Sequence, residues 1–369
     1  MLYLVIISPT FRKSALNELA RKAKFRIVDE LTNFLIIDTK EKGLQLKMRN
    51  SIFSNGAFRL SRPKPILKSR YLRTITSAFW SLRLPKTRRL KLECVDINSK
   101  SVYSAKDIEV KAGQPLEDKG YNINLNDPEL IGYVVLMNGK CYSGIAECEA
   151  IGRKFINPLR HYHTEKKVSR SELKLRQAFD EFKIAANGGI AIDLGAAPGG
   201  WSLFLASMGF KVIAIDNAAL NYDAIRKAGM RVKVISPSEG KIDAEKELRS
   251  TDLIHIKSTF DEAARKLKTA KASLLTDDMN LWHKDSANAI IMYSRFMGPR
   301  CMVILTVKCV TRNVDKYLDD INMSFRGRFS TRAKVLPSNR QEVTVFAYPK
   351  AGTSKIGKSK APRRQITVT

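Results

Sequence analysis

The stretch Asp193-Leu-Gly-Ala-Ala-Pro-Gly-Gly-Trp-Ser202 carries the strongest chemical signal in this sequence. It follows the apolar run Gly189-Ile-Ala-Ile192 and leads into Leu203-Phe-Leu-Ala206, so it reads as a glycine-rich turn from a buried strand into a helix. Such a turn lets backbone amides approach a ligand closely and aims a helix N-terminus at its charged end. A second apolar strand, Val212-Ile-Ala-Ile215, ends in Asp216, a place where an acid grips ribose hydroxyls in nucleotide-type sites. Together they offer a seat to an adenosine-containing cofactor. A dinucleotide fingerprint wants Gly-x-Gly-x-x-Gly, and Ala197 and Pro198 fit that pattern poorly.

The elements around this turn bring further reactive groups to it. From 190 to 350 strands and helices alternate in the manner of a parallel sheet. Strands are expected near 272–276 and 302–307, and a final pair over 332–336 and 342–348. The last two are joined by Pro337-Ser-Asn-Arg-Gln341, too short for a crossover, so they pair antiparallel. Ligands bind outside the carboxyl ends of the strands in such sheets. Asp277-Asp278 closes one strand, Lys308 closes another, and Glu342 begins the reversed one, so topology gathers all of them at one edge. Ser169-Arg-Ser-Glu172 is a capping box that starts a helix with Leu175, Phe179 and Phe182 on one face. Lys174 lies one turn into that helix, off the apolar stripe.

The cofactor turn resembles the S-adenosylmethionine turn of the FtsJ-type ribose 2′-O-methyltransferases. The strings Ser169-Arg-Ser-Glu-Leu-Lys174, Asp277-Asp278-Met279, Leu305-Thr-Val-Lys308 and Asn339-Arg-Gln-Glu342-Val-Thr-Val are similar to those around that family's Lys-Asp-Lys-Glu tetrad. The resemblance implies a Rossmann-like class I domain over 169–350, a parallel sheet with an antiparallel last strand. It implies catalytic Lys174, Asp278, Lys308 and Glu342. It also implies a cofactor held by Ser171, Asp193, Gly195, Ala197, Pro198, Gly199, Gly200, Trp201, Asp216 and Asp278, with the 197–200 amides touching it. A ribose hydroxyl is a poor nucleophile at neutral pH. In this reading Lys308, its pKa lowered by Lys174 and partial burial, accepts the hydroxyl proton or stabilises the alkoxide. Asp278 orients Lys308, and Glu342 orients Lys174 or the ribose. No metal is expected, since His161 and His163 have no cysteines near them at metal spacing.

The sequence departs from the family pattern in three places. Family members carry an acid after the third strand for the adenine amine, whereas this chain has His255-Ile-Lys-Ser-Thr-Phe260, with Ser258 or Thr259 as the substitute. Asp278 is followed by Met-Asn-Leu-Trp rather than Met-Ala-Pro. The long charged segment 222–252 reads as an insertion that touches RNA.

The N-terminal half reads as α+β. Over 1–60 the expected order is strand 3–7, helix 13–24, strand 34–38 and an amphipathic helix 43–52. Residues 61–87 form a basic linker, part of a stretch from 62 to 91 with ten Lys/Arg and no acid, interleaved with Tyr71, Phe79 and Trp80. That stretch is either a solvated helix face or a phosphate-contacting surface. Over 88–146, strand 90–95, a turn at 126–129, strand 130–136 and an Asn138-Gly139 hairpin into 141–145 resemble a THUMP RNA-binding domain. A charged connector covers 147–168, and the tail 351–369, rich in Lys, Arg, Ser and Gly, is expected to be disordered.

A formal charge of +29 over 369 residues argues for a polyanionic partner, with RNA, DNA and anionic membrane all open on charge alone. No apolar run reaches the roughly 20 residues of a spanning helix. Five cysteines, odd in number and without a Cys-x-x-Cys pair, suggest reduced, packed thiols and a cytoplasmic setting. The whole is expected to be a monomeric enzyme that methylates structured RNA. A full-length family member of similar layout acts on large-subunit ribosomal RNA at a cytidine, while THUMP domains often serve tRNA, so both substrates stay open. The rival reading is a catalytically silent RNA-binding or maturation factor that keeps the fold. A base methyltransferase lacks its usual supports here, a Pro-Cys nucleophile or an Asn/Asp-Pro-Pro-Tyr motif.

Overall fold

The computed structural model describes residues 1–98, 101–148, 170–185, 188–236, 238, 240–310 and 313–350. His161, His163, Ser169, the connector from 149 onward and the tail 351–369 lie outside the described residues. The chain divides into two compact units, Met1–Thr164 and Glu165–Thr369.

The first unit contains β1 (Leu2–Ile7), β2 (Phe25–Leu31), β3 (Phe34–Thr39), β4 (Ser54–Leu60), β5 (Lys64–Pro65), β6 (Leu90–Asp96), β7 (Leu130–Met137) and β8 (Lys140–Glu147). They form two four-stranded sheets, ordered β2-β3-β1-β4 and β5-β8-β7-β6. Alternation explains why the sheets stack. Leu4, Ile6, Ile36 and Phe58 from the first meet Ile131, Tyr133, Val135 and Tyr142 from the second in one core. Gly144 is required at this contact, because a Cβ there would strike Arg59 O and the Tyr133 ring. The Asn138-Gly139 turn has φ values of 48° and 72°, the left-handed pair that a two-residue hairpin needs.

Three expectations for this half are corrected. β2 and β4 are additional strands: β2 exposes most of its residues and shows no clean alternation, and β4 is interrupted by Gly56. The helix expected over 43–52 shrinks to Leu44–Lys47. The 61–87 stretch is not a linker. It folds into helix Tyr71–Trp80, whose Ile75, Ala78 and Phe79 pack with helix Ala105–Glu117 onto the outer face of the second sheet.

The second unit is built on β9 (Ile190–Leu194), β10 (Lys211–Asp216), β11 (Val232–Ile235), β12 (Leu253–Lys257), β13 (Ala272–Asp277), β14 (Met297–Lys308), β15 (Phe329–Lys334) and β16 (Glu342–Pro349). Their order is β11-β12-β10-β9-β13-β14-β16-β15, and β16 alone runs against its neighbours. This is a Rossmann-like α/β sheet. Its strands are nearly continuous apolar runs because helices cover both faces. Helices Arg170–Phe182 and Gly200–Ser207 bury Leu175, Phe179, Phe204 and Leu205 against Ala191, Leu274 and Ile304. Helix His283–Tyr293, on the crossover from β13 to β14, packs along those strands from the opposite face. The segment 222–252 supplies β11, which adds an edge strand beside β12. β15 starts three residues earlier than the strand expected from 332.

The sheet order reverses direction between β9 and β13. The crevice at a switch point opens at the carboxyl ends of these strands.

Candidate active site

At that edge the structure brings Lys174, Asp278, Lys308 and Glu342 into one ion-paired cluster. Lys174 Nζ donates to Asp278 Oδ1 at 2.8 Å and to Glu342 Oε2 at 3.0 Å. Lys308 Nζ donates to Asp278 Oδ1 at 3.0 Å and to Glu342 Oε1 at 2.7 Å. Each side chain keeps only 11–20% of its surface exposed. The placement follows from topology: Lys308 and Glu342 are direct partners across the β14–β16 ladder, and Asp278 follows the last residue of neighbouring β13. Lys174 reaches them from helix Arg170–Phe182, whose apolar face anchors it to the sheet.

Charge sets the protonation of the cluster. Burial alone would lower the Lys308 amine, but the Asp278 and Glu342 carboxylates outweigh it and hold the amine above the ordinary lysine value. The expectation of a lowered Lys308 is therefore corrected, because Lys174 is not its nearest charge: two carboxylates stand between the amines. Burial would raise Glu342, and the two lysines outweigh that, leaving it below the usual carboxylate value.

The glycine turn lies directly alongside. The Asp278 amide donates to Leu194 O at 3.3 Å. Gly195, at φ 72°, faces Met279, and a Cβ on it would fall 2.7 Å from Met279 Cγ. Only glycine permits that approach. Most of the turn's polar groups are engaged within the chain. Gly195 N and Ala196 N donate to Ile215 O, and Gly199 N donates to Ala196 O. Ala197 N donates to Asp216 Oδ2 at 3.0 Å, and Ala218 N to Asp216 Oδ1 at 2.8 Å. Pro198 has no amide hydrogen. The expected contact of the 197–200 amides with a ligand is thus narrowed to Gly200, which opens the helix, whose N-cap Gly199 has φ 106°.

Two other expected contacts point inward. Asp193 is buried, accepts hydrogen bonds from Ser202 Oγ at 2.6 Å and Thr276 Oγ1 at 2.9 Å, and is pushed up to about 7 by burial. Trp201 is buried as well, and its Nε1 donates to Ser171 O at 2.6 Å, tying the helix of Lys174 to the turn. Beyond β12, Thr259 caps helix Phe260–Lys266 by accepting from Glu262 N, and the Ser258 hydroxyl donates to Thr259 O. Both hydroxyls offered for an adenine are engaged at that cap.

Several supports had no role assigned to them by the sequence reading. Asp277, buried and pushed up to about 8 by burial, accepts the Met279 amide at 2.8 Å and so shapes the turn carrying Asp278. Gln177, one turn after Lys174, accepts from Ser338 N at 2.9 Å and Ser338 Oγ at 2.6 Å, fastening the turn before Glu342. Tyr222 OH pairs with His255 Nδ1 at 2.7 Å, while His255 Nε2 meets Asp216 O at 3.0 Å. A polar residue one turn from Lys174 was the available signal for Gln177; Asp277 and His255 stood in strings already singled out, without these roles, and nothing local marked Tyr222.

A glycine turn one strand away from paired lysines and acids is the layout of a methyltransferase domain. Comparison narrows the class: residues 167–322 match the family model of the FtsJ-like methyltransferase. Among relatives, ribosomal RNA large subunit methyltransferase M from Cellvibrio japonicus is 32% identical over 151 residues, 38% of this chain and 43% of that protein. The protein of the same name from Shewanella sp. (strain MR-4) is 30% identical over 147 residues, 37% of this chain and 41% of that protein. The matches span about two fifths of those relatives' length. The crystal structure of TrmN from Thermus thermophilus aligns with 95% of this chain and 100% of that chain at 15% identity and a TM-score of 0.36. Among the described residues, no helix is long and apolar enough to cross a membrane, and no three or more His, Cys, Asp or Glu side chains gather as a metal site. All five cysteines are buried.

Proposed function

We propose that this chain is an S-adenosylmethionine-dependent RNA methyltransferase that acts on a ribose 2′-hydroxyl. The observation that carries the reading is the cluster of Lys174, Asp278, Lys308 and Glu342 set one residue from the Met279–Gly195 contact. The relatives named above are large-subunit ribosomal RNA methyltransferases, which favours that RNA over tRNA. The charge of +29 suits a polyanion, and the first unit with its basic residues is assigned to gripping RNA.

The turn fits the cofactor on two counts. Gly195 and Gly199 hold left-handed backbone beside the crevice, and Asp216 stands half-buried at the end of β10 with its carboxylate fixed by Ala197 N and Ala218 N. Gly195, Gly199, Gly200 and Asp216 would hold the cofactor, and Asp193, Trp201 and Ser171 would keep the turn in shape. When bound, the cofactor supplies an electrophilic methyl group.

The chain's own part is to prepare the sugar oxygen. Held above its ordinary value, Lys308 stays an ammonium and stabilises negative charge growing on the oxygen as its proton departs to solvent. Asp278 and Glu342 each accept from both lysines, so they fix the amines' positions without a reorganisation step. Fixing the oxygen against the methyl carbon supplies much of the remaining acceleration.

The test incubates the protein with methyl-labelled cofactor and total RNA from a strain lacking its gene, then maps the modified nucleoside. Label should appear on a ribose 2′-oxygen, and Lys308→Ala should abolish it. Label on a base or on protein would reject the ribose assignment. No label on RNA from the unaltered chain would favour the silent RNA-binding factor.

A further inference from the structure

Four residues beyond Asp278 the chain exposes an aromatic side chain for which the proposed chemistry has no use. Trp282 follows Asp278 by four residues, so its Cα lies within about 14 Å of the acid along the loop that leaves β13. It keeps 46% of its surface exposed, whereas the residue after it, His283, is buried. The indole is braced from within the fold. Its ring sits 5.8 Å from Tyr317 at 70° and 5.3 Å from His283. His283 is fixed in turn by its Nε2 contact with Asp320 at 2.8 Å and by Tyr317 at 4.5 Å. Lys284, two residues after Trp282 and 59% exposed, pairs with the same Asp320 at 3.5 Å. Val310, two residues after Lys308 and 71% exposed, adds a second apolar group at the same sheet edge.

A half-exposed indole braced by two rings, in the loop that leaves β13 at the carboxyl edge of the sheet, has the makings of a base-stacking platform. Aromatic side chains hold single-stranded nucleic acid in this way, because every base offers a π-face, and enzymes that act on a nucleotide take it out of its helical stack. A nucleotide whose 2′-oxygen meets Lys308 would have its own base, or that of its neighbour, within reach of a side chain held no more than about 14 Å from Asp278.

We infer that Trp282 is a substrate-positioning residue, stacking on a nucleobase of the bound strand within one nucleotide of the reacting ribose. This rests on the RNA reading above. It sets a demand on the substrate: the nucleotide whose base stacks, at or beside the reacting ribose, must be unpaired, or unpair on binding.

The test compares Trp282→Leu, which keeps an apolar group against Tyr317, with Trp282→Phe, which keeps a π-face. Both are assayed with the full chain, methyl-labelled cofactor and total RNA from a strain lacking the gene. Trp282→Leu should raise the RNA concentration for half-maximal labelling about five- to 150-fold, the equivalent of the about 1–3 kcal/mol a base–aromatic stack contributes. Trp282→Phe should recover most of that loss. Affinity for S-adenosylhomocysteine and the thermal midpoint should match the unaltered chain in both, which a bracing role alone would not allow. An unchanged RNA requirement in Trp282→Leu, or equal losses in both variants, would overturn the stacking role and leave the methyltransferase reading intact. Absence of RNA labelling by the unaltered chain would overturn the reading beneath it.

Discussion

Replacing Lys308 by methionine tests the charge balance of the site most directly. In the resting cluster two ammonium groups face two carboxylates, and the charges cancel. Lys308→Met keeps most of the side chain's length and leaves one uncompensated negative charge among groups that are at most 20% exposed. Removing one partner of a buried pair costs about 3–5 kcal/mol, and residual solvent access puts this case near the lower value, about 3 kcal/mol. A urea midpoint lowered by about 1–3 M follows from ordinary slopes. The loss should depend on pH in a definite way. Glu342 is held below its ordinary value, so its stabilising share is present above pH 4.5 and is lost as pH falls through its folded value. Lys308, held above 10.5, contributes below that pH and loses its share as pH rises through its folded value. The gap between variant and unaltered chain should thus be flat between these limits and narrow below 4.5. Methyl transfer should fall about 10²–10³-fold, the effect of removing one preorganised donor from a developing oxyanion. The double variant Lys308→Met/Glu342→Gln should recover stability but not rate. Single-turnover transfer within about tenfold of the unaltered chain would refute the assignment of Lys308 to the reacting oxygen.

Two further perturbations test the supports. Asp277, buried and raised to about 8, weakens the fold progressively as pH climbs from 3.8 toward 8 and by a constant amount above that. Asp277→Asn keeps an acceptor for the Met279 amide, so it should be more stable than the unaltered chain at pH 9, by more than about 1 kcal/mol, with the difference shrinking toward pH 4; denaturant titrations at the two pH values decide it. Gly195→Ala places a methyl against Met279 and a side chain at φ 72°, so it should cost about 1–2 kcal/mol in backbone strain alone and weaken S-adenosylhomocysteine binding by calorimetry.

The second unit was more legible in the sequence than the first, and the reason is physical. Strands such as Ile190–Leu194 and Lys211–Asp216 lie inside a sheet covered on both faces, so they appear as unbroken apolar runs. β2 exposes Arg26, Val28 and Glu30, and a half-buried edge strand leaves a faint pattern. The basic composition of 61–87 masked helix Tyr71–Trp80, because the lysines, arginines and prolines that flank it dominate the stretch while the helix itself carries only Arg73. At the site, the four charged residues were found because topology places strand ends at one edge. Their protonation was misjudged, since it depends on which charges are nearest, and neither spacing nor composition states that carboxylates separate the two amines. Asp193 and Trp201 were expected to face a ligand; both are instead buried among Ser202, Thr276 and Ser171, inside the turn they support.

Lys308 and Glu342 form the terminal rung of the β14–β16 ladder, and the Cys309 amide reaches across to Gln341 O at 2.8 Å just beyond it. Sheets fray from their ends. Here the frayed end would also pull one amine away from one carboxylate, so opening of a single rung unmakes the reactive cluster while the rest of the sheet stays folded. The ion pairs that prepare the sugar oxygen are at the same time the clasp that keeps this end of the sheet zipped.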